Sequence, residues 1–265
     1  MLRALYTSAT GMKAQELLID NTANNIANVN TNGFRRSRMD FADLVYTNYL
    51  RPGANISAGQ VSPTGMQIGN GVRPIGTTKH FAQGSMEQTG NPLDVAIEGD
   101  GFFQVIIPNG ETRYTRAGNF RIDADGNLVN SDGFLLTPNL TIPAGTDLTR
   151  ITIGGDGTIQ ASQVGTDASP QTLGQIQIAT FLNPAGLSSE GSNLFSQTPA
   201  SGQPVIGFGG QAGFGVLRQS FLEGSNVEVV TELISLISAQ RAYEVNSRAI
   251  RAGDEMLSTS VDIVR

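Results

Sequence analysis

The chain has 265 residues, one histidine, no cysteine and a formal net charge of −6 from 17 Lys and Arg against 23 Asp and Glu. The lack of cysteine excludes disulfides, thiolate metal sites and cysteine nucleophiles. An acidic chain without a Lys/Arg cluster argues against a nucleic-acid partner. Glycine contributes 32 residues and favours many tight turns, within a length that suits one or two domains.

The N-terminal segment has the pattern of an amphipathic helix with a heptad seam. Glu16 is the only polar residue in this 4-3 series, which otherwise contains Leu2, Leu5, Ala9, Met12, Ile19, Ala23 and Ile26. We expect the helix to end at 31–33, where Gly33 can adopt the left-handed C′ conformation. Because the apolar residues are spaced rather than continuous, we expect neither a cleaved signal peptide nor a membrane anchor.

Asparagine is unusually frequent at the end of this helix. Asn21, Asn25, Asn28 and Asn32 follow 4-3-4 spacing on the side opposite the apolar seam. Asparagine forms helices poorly because its amide competes for backbone groups. Two interpretations remain open: a solvated surface near a fraying end, or a surface that meets neighbouring subunits through amide hydrogen bonds.

The segment after the first helix predicts a further helical turn or two over 35–44 and then an extended connector. Residues 46–71 contain proline, glycine and serine without a sustained hydrophobic period. The residues that we expect to make this connector rigid are Tyr46, Pro52, Pro63 and Gly65.

From 72 to 222 the pattern predicts a central all-β domain. Three pairs of short apolar runs are separated by PNG, DADG and GGDG, which are typical of hairpin turns. These pairs are GFFQVII with ETRYT, FRI with NLV, and ITI with TIQASQ.

Catalytic and ligand-binding motifs are weak. His80 is the only histidine, so a Ser-His-Asp site would depend on it alone, and a structural or surface role is favoured. The run Asp123 to Asn127 has its glycine at the wrong position for a calcium loop, so it indicates a turn. Residues 207–212 fit a loose G-x-G-x-x-A, but no helix pattern follows to bind a pyrophosphate. We therefore predict no enzyme activity, no cofactor and no metal site.

The C-terminal segment predicts a second heptad helix. Ser225 and Glu228 have the spacing of a capping box, and Glu244 and Arg248 that of an i,i+4 ion pair. The 4-3 series is interrupted at Gln240, Ser247 and Asp254 and otherwise contains Val229, Leu233, Leu236, Tyr243, Ile250, Leu257, Val261 and Val264.

Motifs along nearly the whole chain resemble the bacterial flagellar rod and hook proteins. LYTSATGM at 5–12 and NTANNIANVNTNGFRRSRMDF at 21–41 resemble the N-terminal signature of this family. EGSNVEVVTELISLISAQRAYEVNSRAI at 223–250 resembles its C-terminal signature. DVAIEGDGFFQV at 94–105 is similar to the start of the family's β-domain, and QIGNGVRP at 67–74 resembles its distal-rod member.

The resemblance implies an α+β fold in which the two terminal heptad helices pair into a coiled-coil-like inner domain, with an all-β domain outside. It divides the chain into helical 1–45, connector 46–71, β-domain 72–222 and helical 223–265. The subunit interface expected on the helices consists of Leu5, Met12, Ile19, Asn21, Asn25, Ile26, Asn28, Leu233, Leu236, Gln240, Tyr243 and Ile250.

The implied function is structural. The chain would polymerise into a hollow drive shaft that crosses the periplasm, and it would be exported through the flagellum's own secretion apparatus. Its partners would be further copies of itself, proximal-rod subunits, the hook protein and the ring proteins in the peptidoglycan and outer membrane.

Three alternatives stay open at this point. The first is a proximal-rod or hook-type subunit of the same family. The other two are a secreted hydrolase built on the β-domain and a coiled-coil scaffold of closed stoichiometry.

Overall fold

The computed structural model describes residues 2–53, 55–57, 60–61, 63–143, 146, 148–161 and 171–263. Helices lie at both ends and the region between them is mostly β, so the fold is α+β. The chain divides into two compact units. Unit 1 contains residues 1–27, 37–78 and 228–265, and unit 2 contains residues 28–36 and 79–227.

Unit 1 contains both long helices. Helix α1 spans Leu2–Ala27 and helix α2 spans Val229–Ile263. The predicted end of α1 at 31–33 is wrong, because a turn follows Ala27 in which Thr31 donates its backbone N–H to the Asn28 carbonyl and its hydroxyl to the Asn28 side chain. Gly33 does adopt the left-handed conformation, with φ of 72°, but it does so within unit 2.

The predicted capping box of α2 does not form. The Ser225 hydroxyl accepts a hydrogen bond from the Val227 N–H at 3.3 Å, whereas the helix begins only at Val229. The Glu228 carbonyl accepts the first helical bond, from the Glu232 N–H, and the Glu228 carboxylate accepts from the Thr231 hydroxyl. The predicted i,i+4 pair between Glu244 and Arg248 is confirmed, at 3.7 Å.

The helical turns predicted over 35–44 are wrong. This part of the chain contains strand β1, Ser37–Asp43, which pairs with β6, Val72–Lys79. Nothing in the local sequence excludes a helix, and the pairing partner lies some thirty residues later. Contacts between segments distant in sequence therefore override the local preference.

The predicted connector is extended but folds back on itself as a β-hairpin arm. Strand β2, Thr47–Leu50, pairs antiparallel with β5, Met66–Ile68. Between them β3, Asn55–Ser57, pairs antiparallel with β4, Gln60–Val61. We call residues 45–70 the arm.

Unit 2 is built from sixteen short described strands. They are β7 (Met86–Gln88), β8 (Val95–Glu98), β9 (Phe102–Ile106), β10 (Thr112–Thr115), β11 (Arg121–Ile122), β12 (Leu128–Val129), β13 (Leu135–Leu136), β14 (Thr152–Ile153), β15 (Thr158–Ala161), β16 (Gln171–Gln175), β17 (Gln177–Thr180), β18 (Ser188–Gly191), β19 (Leu194–Ser196), β20 (Val205–Phe208), β21 (Val216–Gln219) and β22 (Phe221–Glu223).

The largest described sheet of unit 2 branches at strand β9. Its main path is β11-β12-β13-β9-β10-β19-β18, and β17 pairs with both β9 and β20. Along one edge β9 pairs with β10, while along the other Phe102 and Phe103 pair with β17, and Val105 and Ile106 pair with β13. Strands β14-β15-β16 form a separate sheet, and β8 with β21 and β7 with β22 form two-stranded sheets.

Strand β9 separates two apolar clusters because successive side chains point to opposite faces of a sheet. Phe103 and Val105 join the larger cluster, which also holds Ile97, Leu136 and Ile178. Phe102 joins the smaller, aromatic cluster with Tyr114, Ala179, Phe181, Leu187 and Phe195. A strand buried on both faces in this way fixes the centre of the unit.

All three predicted hairpins are confirmed. Strands β9 and β10 pair antiparallel, as do β11 with β12 and β14 with β15. At the DADG turn the Asp123 N–H donates to the Asn127 carbonyl, and Gly126 has a φ of 84°. The prediction of a turn at this position is therefore confirmed.

Substitution of Gly118 by alanine should destabilise unit 2 strongly. A Cβ at Gly118 would overlap the carbonyl oxygen of Val95, the residue whose N–H bonds to the Gly118 carbonyl at 3.0 Å. We expect Gly118→Ala to lower the free energy of unfolding by about 3 kcal/mol, measured by chemical denaturation of the whole chain. Gly110→Asn is the control, because Gly110 faces open space and asparagine tolerates its φ of 83°. Equal stability of the two variants would contradict the crowding at Gly118.

Candidate assembly surfaces

Helices α1 and α2 pack against one another in antiparallel fashion. Asn25 donates a hydrogen bond to the Glu232 carboxylate at 3.3 Å. A Cβ at Gly11 would lie 3.1 Å from the Asn246 amide, and one at Gly253 would lie 2.6 Å from the Leu5 side chain. The contacts pair Asn25 with Glu232, Gly11 with Asn246 and Leu5 with Gly253. Earlier residues of α1 thus meet later residues of α2, as two antiparallel helices require. Glycine at two of the three contacts allows the helix axes to approach closely.

The contact surface of α2 is displaced by one residue from the predicted seam. Leu236 and Ile250, which belong to the predicted seam, are half-buried. The other half of the seam is formed by Glu232, Ala239, Asn246 and Gly253 instead of Leu233, Gln240, Ser247 and Asp254. Of the polar interruptions of the predicted heptad series, Gln240 and Asp254 are exposed and Ser247 is half-buried.

The amide of Asn25 connects three elements of unit 1. Its oxygen accepts from the Ser37 N–H at 2.9 Å, and its nitrogen donates to the Ser37 carbonyl at 2.8 Å and to Glu232. Asn21 donates to the same Ser37 carbonyl. Asn25 is 1% exposed, so its amide binds strand β1 and helix α2 of its own chain. Asn21 and Asn28 are half-buried.

Apart from the asparagines, the predicted interface residues fall into two groups by exposure. Exposed ones are Leu233, Gln240 and Tyr243, while half-buried ones are Leu5, Met12, Ile19, Ile26, Leu236 and Ile250. Further large apolar side chains on the helix pair are also exposed: Leu2, Tyr6, Val229, Val230, Ile234, Ile237, Val245, Met256 and Val261. A single chain rarely exposes so much apolar surface unless another molecule covers it.

The base of the arm is attached to α1. The Arg3 guanidinium donates to the Tyr49 and Thr47 hydroxyls at 2.9 Å each and lies over the Tyr49 ring. The Leu44 N–H donates to the Gly71 carbonyl at 2.9 Å, which closes the arm at its base. Gly71 lies against Thr10 with no room for a side chain.

Beyond its base, those arm residues whose exposure the structure describes are mostly exposed and include many apolar side chains. Tyr46, Pro52, Pro63 and Gly65, which were predicted to make the connector rigid, all lie at the surface. A hydrogen bond to the Asp43 carboxylate raises the pKa of Tyr46. Other exposed apolar residues of the arm are Val45, Tyr49, Leu50, Met66 and Ile68. The arm is thus a second surface that a neighbouring molecule could cover.

Gly65 makes a tight contact within the arm. A Cβ at this position would lie 2.5 Å from the Pro52 ring and 2.6 Å from the Leu50 carbonyl oxygen. Two of the four predicted rigidity residues therefore pack against each other across the hairpin.

A buried ion cluster in unit 2 was not predicted from the sequence. The Glu223 carboxylate binds Arg35 at 2.7 Å and Arg116 at 3.4 Å, and it accepts from the Gly84 N–H at 2.9 Å. The side chains of Arg35 and Glu223 are 0% exposed. Burial lowers the pKa of Arg116 to about 10, opposed by the charge of Glu223. The pairing of Arg35 and Glu223, 188 residues apart, gives no local signal in the sequence.

Arg35 and Arg116 also hold the surrounding backbone. Arg35 donates to the Ala82 carbonyl, and Arg116 donates to the Ile97 and Gly99 carbonyls. The Gly33 N–H donates to the Glu223 carbonyl at 2.7 Å. The cluster therefore joins residues 28–36 to the rest of unit 2.

The residues considered for chemistry lie apart. His80 is exposed, and its backbone N–H donates to the Arg36 carbonyl. Residues 207–212 run from β20 into a turn. Across the described ranges no group of three or more His, Cys, Asp or Glu side chains is placed to hold a metal ion. None of the helices, over their described lengths, combines the length and hydrophobicity that a membrane span requires.

Removal of the Glu223 carboxylate should destabilise unit 2 by leaving two buried guanidinium groups without their counter-charge. We expect Glu223→Ala to cost about 3–5 kcal/mol in the free energy of unfolding. The control is Glu98→Ala, which breaks the exposed pair with Arg218 and should cost at most about 1 kcal/mol. Chemical denaturation followed by circular dichroism measures both. A Glu223 variant as stable as the Glu98 variant would refute the role of the cluster.

Three families of flagellar proteins match successive parts of the chain. Residues 5–35 match the family described as "Flagella basal body rod protein". Residues 96–161 match the D1 domain of flagellar hook protein FlgE/F/G, and residues 218–263 match the C-terminal family of the flagellar basal body rod FlgEFG proteins.

Curated relatives match over the full length. The flagellar basal-body rod protein FlgG of Borreliella burgdorferi is 44% identical over 265 residues and covers 100% of both chains. The FlgG proteins of Caulobacter vibrioides and Agrobacterium fabrum are 46% and 48% identical over 98% and 97% of both chains. With this identity along its whole length, the chain belongs to the FlgG family of flagellar basal-body rod proteins.

Proposed function

We propose that the chain is a structural subunit of the flagellar distal rod, which polymerises helically into a hollow, rigid shaft that transmits torque to the hook. The observation that carries the proposal is the full-length similarity to FlgG, on a chain whose terminal helices expose an apolar surface. The shaft would also provide the channel through which later subunits are exported.

The helix pair supports this role because many of its apolar residues remain exposed even though the two helices pack against each other. Val230 and Ile234 are 64% and 60% exposed, and Leu233 is 43% exposed. In a helical polymer such residues would pack against the helices of neighbouring copies. We propose that the antiparallel pair becomes part of a coiled-coil-like inner layer, with the β-domain at 72–222 outside it.

The asparagine surface would contribute less to these contacts than its spacing predicts. Asn25 binds Ser37 and Glu232 within the chain. Its proposed role is therefore to fix the register of α1 against α2, so that the apolar residues of both helices face neighbours in a defined arrangement.

The location and partners follow from the same proposal. The chain is a component of the flagellar basal body, and as a distal-rod subunit it would span the periplasm. It would contact proximal-rod subunits, the hook protein and the ring proteins of the peptidoglycan and outer membrane. It would be exported through the flagellum's own secretion apparatus.

Electron microscopy of the concentrated, purified chain tests the proposal. Straight hollow tubes are expected. Small closed rings would instead indicate a scaffold of fixed stoichiometry, and a chain that stays monomeric at all concentrations would contradict the proposal.

A charge on the exposed helix surface should block polymerisation. Leu233→Asp would place a carboxylate in each subunit contact, at a cost of several kcal/mol where the side chain becomes buried. Because Leu233 is exposed in the single chain, the variant should keep its fold. We expect loss of tubes by electron microscopy and loss of swimming in complemented cells.

The control for this experiment is His80→Ala, which changes an exposed residue outside the helices. Its tubes and its motility should equal those of the parent. Normal swimming of Leu233→Asp cells, together with immotile His80→Ala cells, would refute the proposed shaft.

The arm should make the polymer stiff. A straight rod must prevent neighbouring subunits from sliding, and the exposed apolar residues of the arm can add contacts along adjacent copies. Proline at 52 and 63 limits the conformational freedom that the arm loses on binding. The base of the arm brings Leu44 and Gly71 together, so residues 45–70 can be replaced by a short glycine linker.

We expect the deletion to leave tube formation intact and to let the tubes bend, because the helices keep their own contacts. Curvature of negatively stained tubes measures the effect. The matched control keeps the arm but replaces Asn48, an exposed polar residue within it, with serine. Deletion tubes as straight as the parent would assign the rigidity to the helices instead.

A further inference from the structure

Helix α1 holds the base of the arm at two separate points. Where the chain enters the arm, Arg3 donates to the Thr47 and Tyr49 hydroxyls at 2.9 Å each. Where the chain leaves the arm, Gly71 lies against Thr10, and a Cβ at this glycine would overlap the threonine hydroxyl. Both ends of the arm are therefore attached to the same helix.

These contacts require the start of α1 to be helical. Arg3, Thr7 and Thr10 have i, i+4, i+7 spacing, which places the three side chains on one face of a helix. Thr7 also belongs to the contact, because a Cβ at Gly71 would lie 3.5 Å from its Cα. In an extended chain, residues 3 and 10 would point to opposite sides. The arm can therefore dock only on a formed helix.

The start of α1 is a weak helix by itself. Residues 6–11 are Tyr, Thr, Ser, Ala, Thr and Gly, of which only alanine strongly favours the helical state. No acidic residue lies in the first turn to interact with the helix dipole. The stability of this segment therefore depends on contacts with other parts of the molecule, and the base of the arm supplies some of them.

We infer that the arm and residues 2–11 of α1 become ordered together, and that Arg3 is the positioning residue that sets the direction of the arm. Thr47 and Tyr49 lie two positions apart on strand β2, so their side chains point to the same side of it. One planar guanidinium binds both hydroxyls and lies over the Tyr49 ring. Two bonds from a rigid group fix an orientation, which a single contact does not.

The consequence of this inference rests on the proposed function. In the polymer, neighbouring copies would cover the exposed apolar side chains of α1 and hold the helix in place. Arg3 would transmit that order to the arm, so the arm of every assembled subunit would have one fixed direction. Only an arm of fixed direction can add regular contacts along adjacent copies.

The distance between two spin labels measures the direction of the arm. The chain has no cysteine, so Asn48→Cys on the arm and Asp20→Cys on α1 create two unique label sites at exposed positions. Dilution with unlabelled chains keeps the measured distance within one subunit. We expect a narrow distance distribution in tubes, which Arg3→Ala should broaden. Lys13→Ala is the matched control and should leave it narrow, because Lys13 is an exposed cation of the same helix that pairs with Glu16.

Changes on the arm show whether Arg3 acts through its two hydroxyl partners. Thr47→Ala combined with Tyr49→Phe removes both acceptors and leaves α1 unaltered. This double variant should broaden the distribution as much as Arg3→Ala does, and the triple variant should broaden it no further, as for groups that act as one unit. Arg3→Lys should restore little of the order, because an ammonium lacks the planar fork. Additive effects of the two sides would overturn the inference.

The shape of the tubes separates the inference from the proposed function. Arg3→Ala tubes should bend as far as tubes of the arm deletion. A narrow distribution in Arg3→Ala tubes, or straight Arg3→Ala tubes beside bent deletion tubes, would overturn the inference. A parent chain that forms no tubes would contradict the proposed function instead. Because both labels lie in one subunit, the same distances measured in the single chain would still decide whether Arg3 positions the arm.

Discussion

The closure of unit 2 depends on the buried carboxylate of Glu223. Residues 28–36 are separated from the rest of the unit by 42 residues that belong to unit 1. Glu223 binds Arg35 and Arg116, and its backbone carbonyl binds the Gly33 N–H. Isolated buried charges cost several kcal/mol each, so the arginines can lie inside only while the carboxylate is present. The position of residues 28–36 within unit 2 thus depends on Glu223, which follows Arg35 by 188 residues.

Sequence patterns predicted the elements whose signal is local. Both helices follow from 4-3 spacing, and three hairpins follow from short apolar runs around glycine-containing turns. The predictions were wrong where a distant partner decides. Ser37–Asp43 is a strand because Val72–Lys79 lies beside it, and no local residue reveals that partner. The Glu223 cluster escaped prediction for the same reason.

The displaced seam of α2 shows what a heptad pattern encodes in a chain of this kind. Within the chain, α1 meets Glu232, Ala239, Asn246 and Gly253, which are small or polar. Large residues one position further on, such as Leu233, remain exposed. The apolar heptad series of α2 therefore includes residues, such as Leu233, that are not buried by α1 within the single chain. Periodicity identified the helices correctly, but it could not separate residues for the internal partner from residues for an external one.

The same ambiguity explains why the exposure of Leu182, Val205 and Ile206 was not predicted. Leu182, Val205 and Ile206 have the composition of core residues, and a sequence gives no reason to place them outside. The distinguishing feature is the contrast between sheet edges, because Glu190 protects β18 while β20 carries no charge. Since protection of an edge is the common state, its absence at one strand carries information. An apolar residue outside the core is thus best interpreted together with the strand pairing around it, which the fold supplies and the sequence does not.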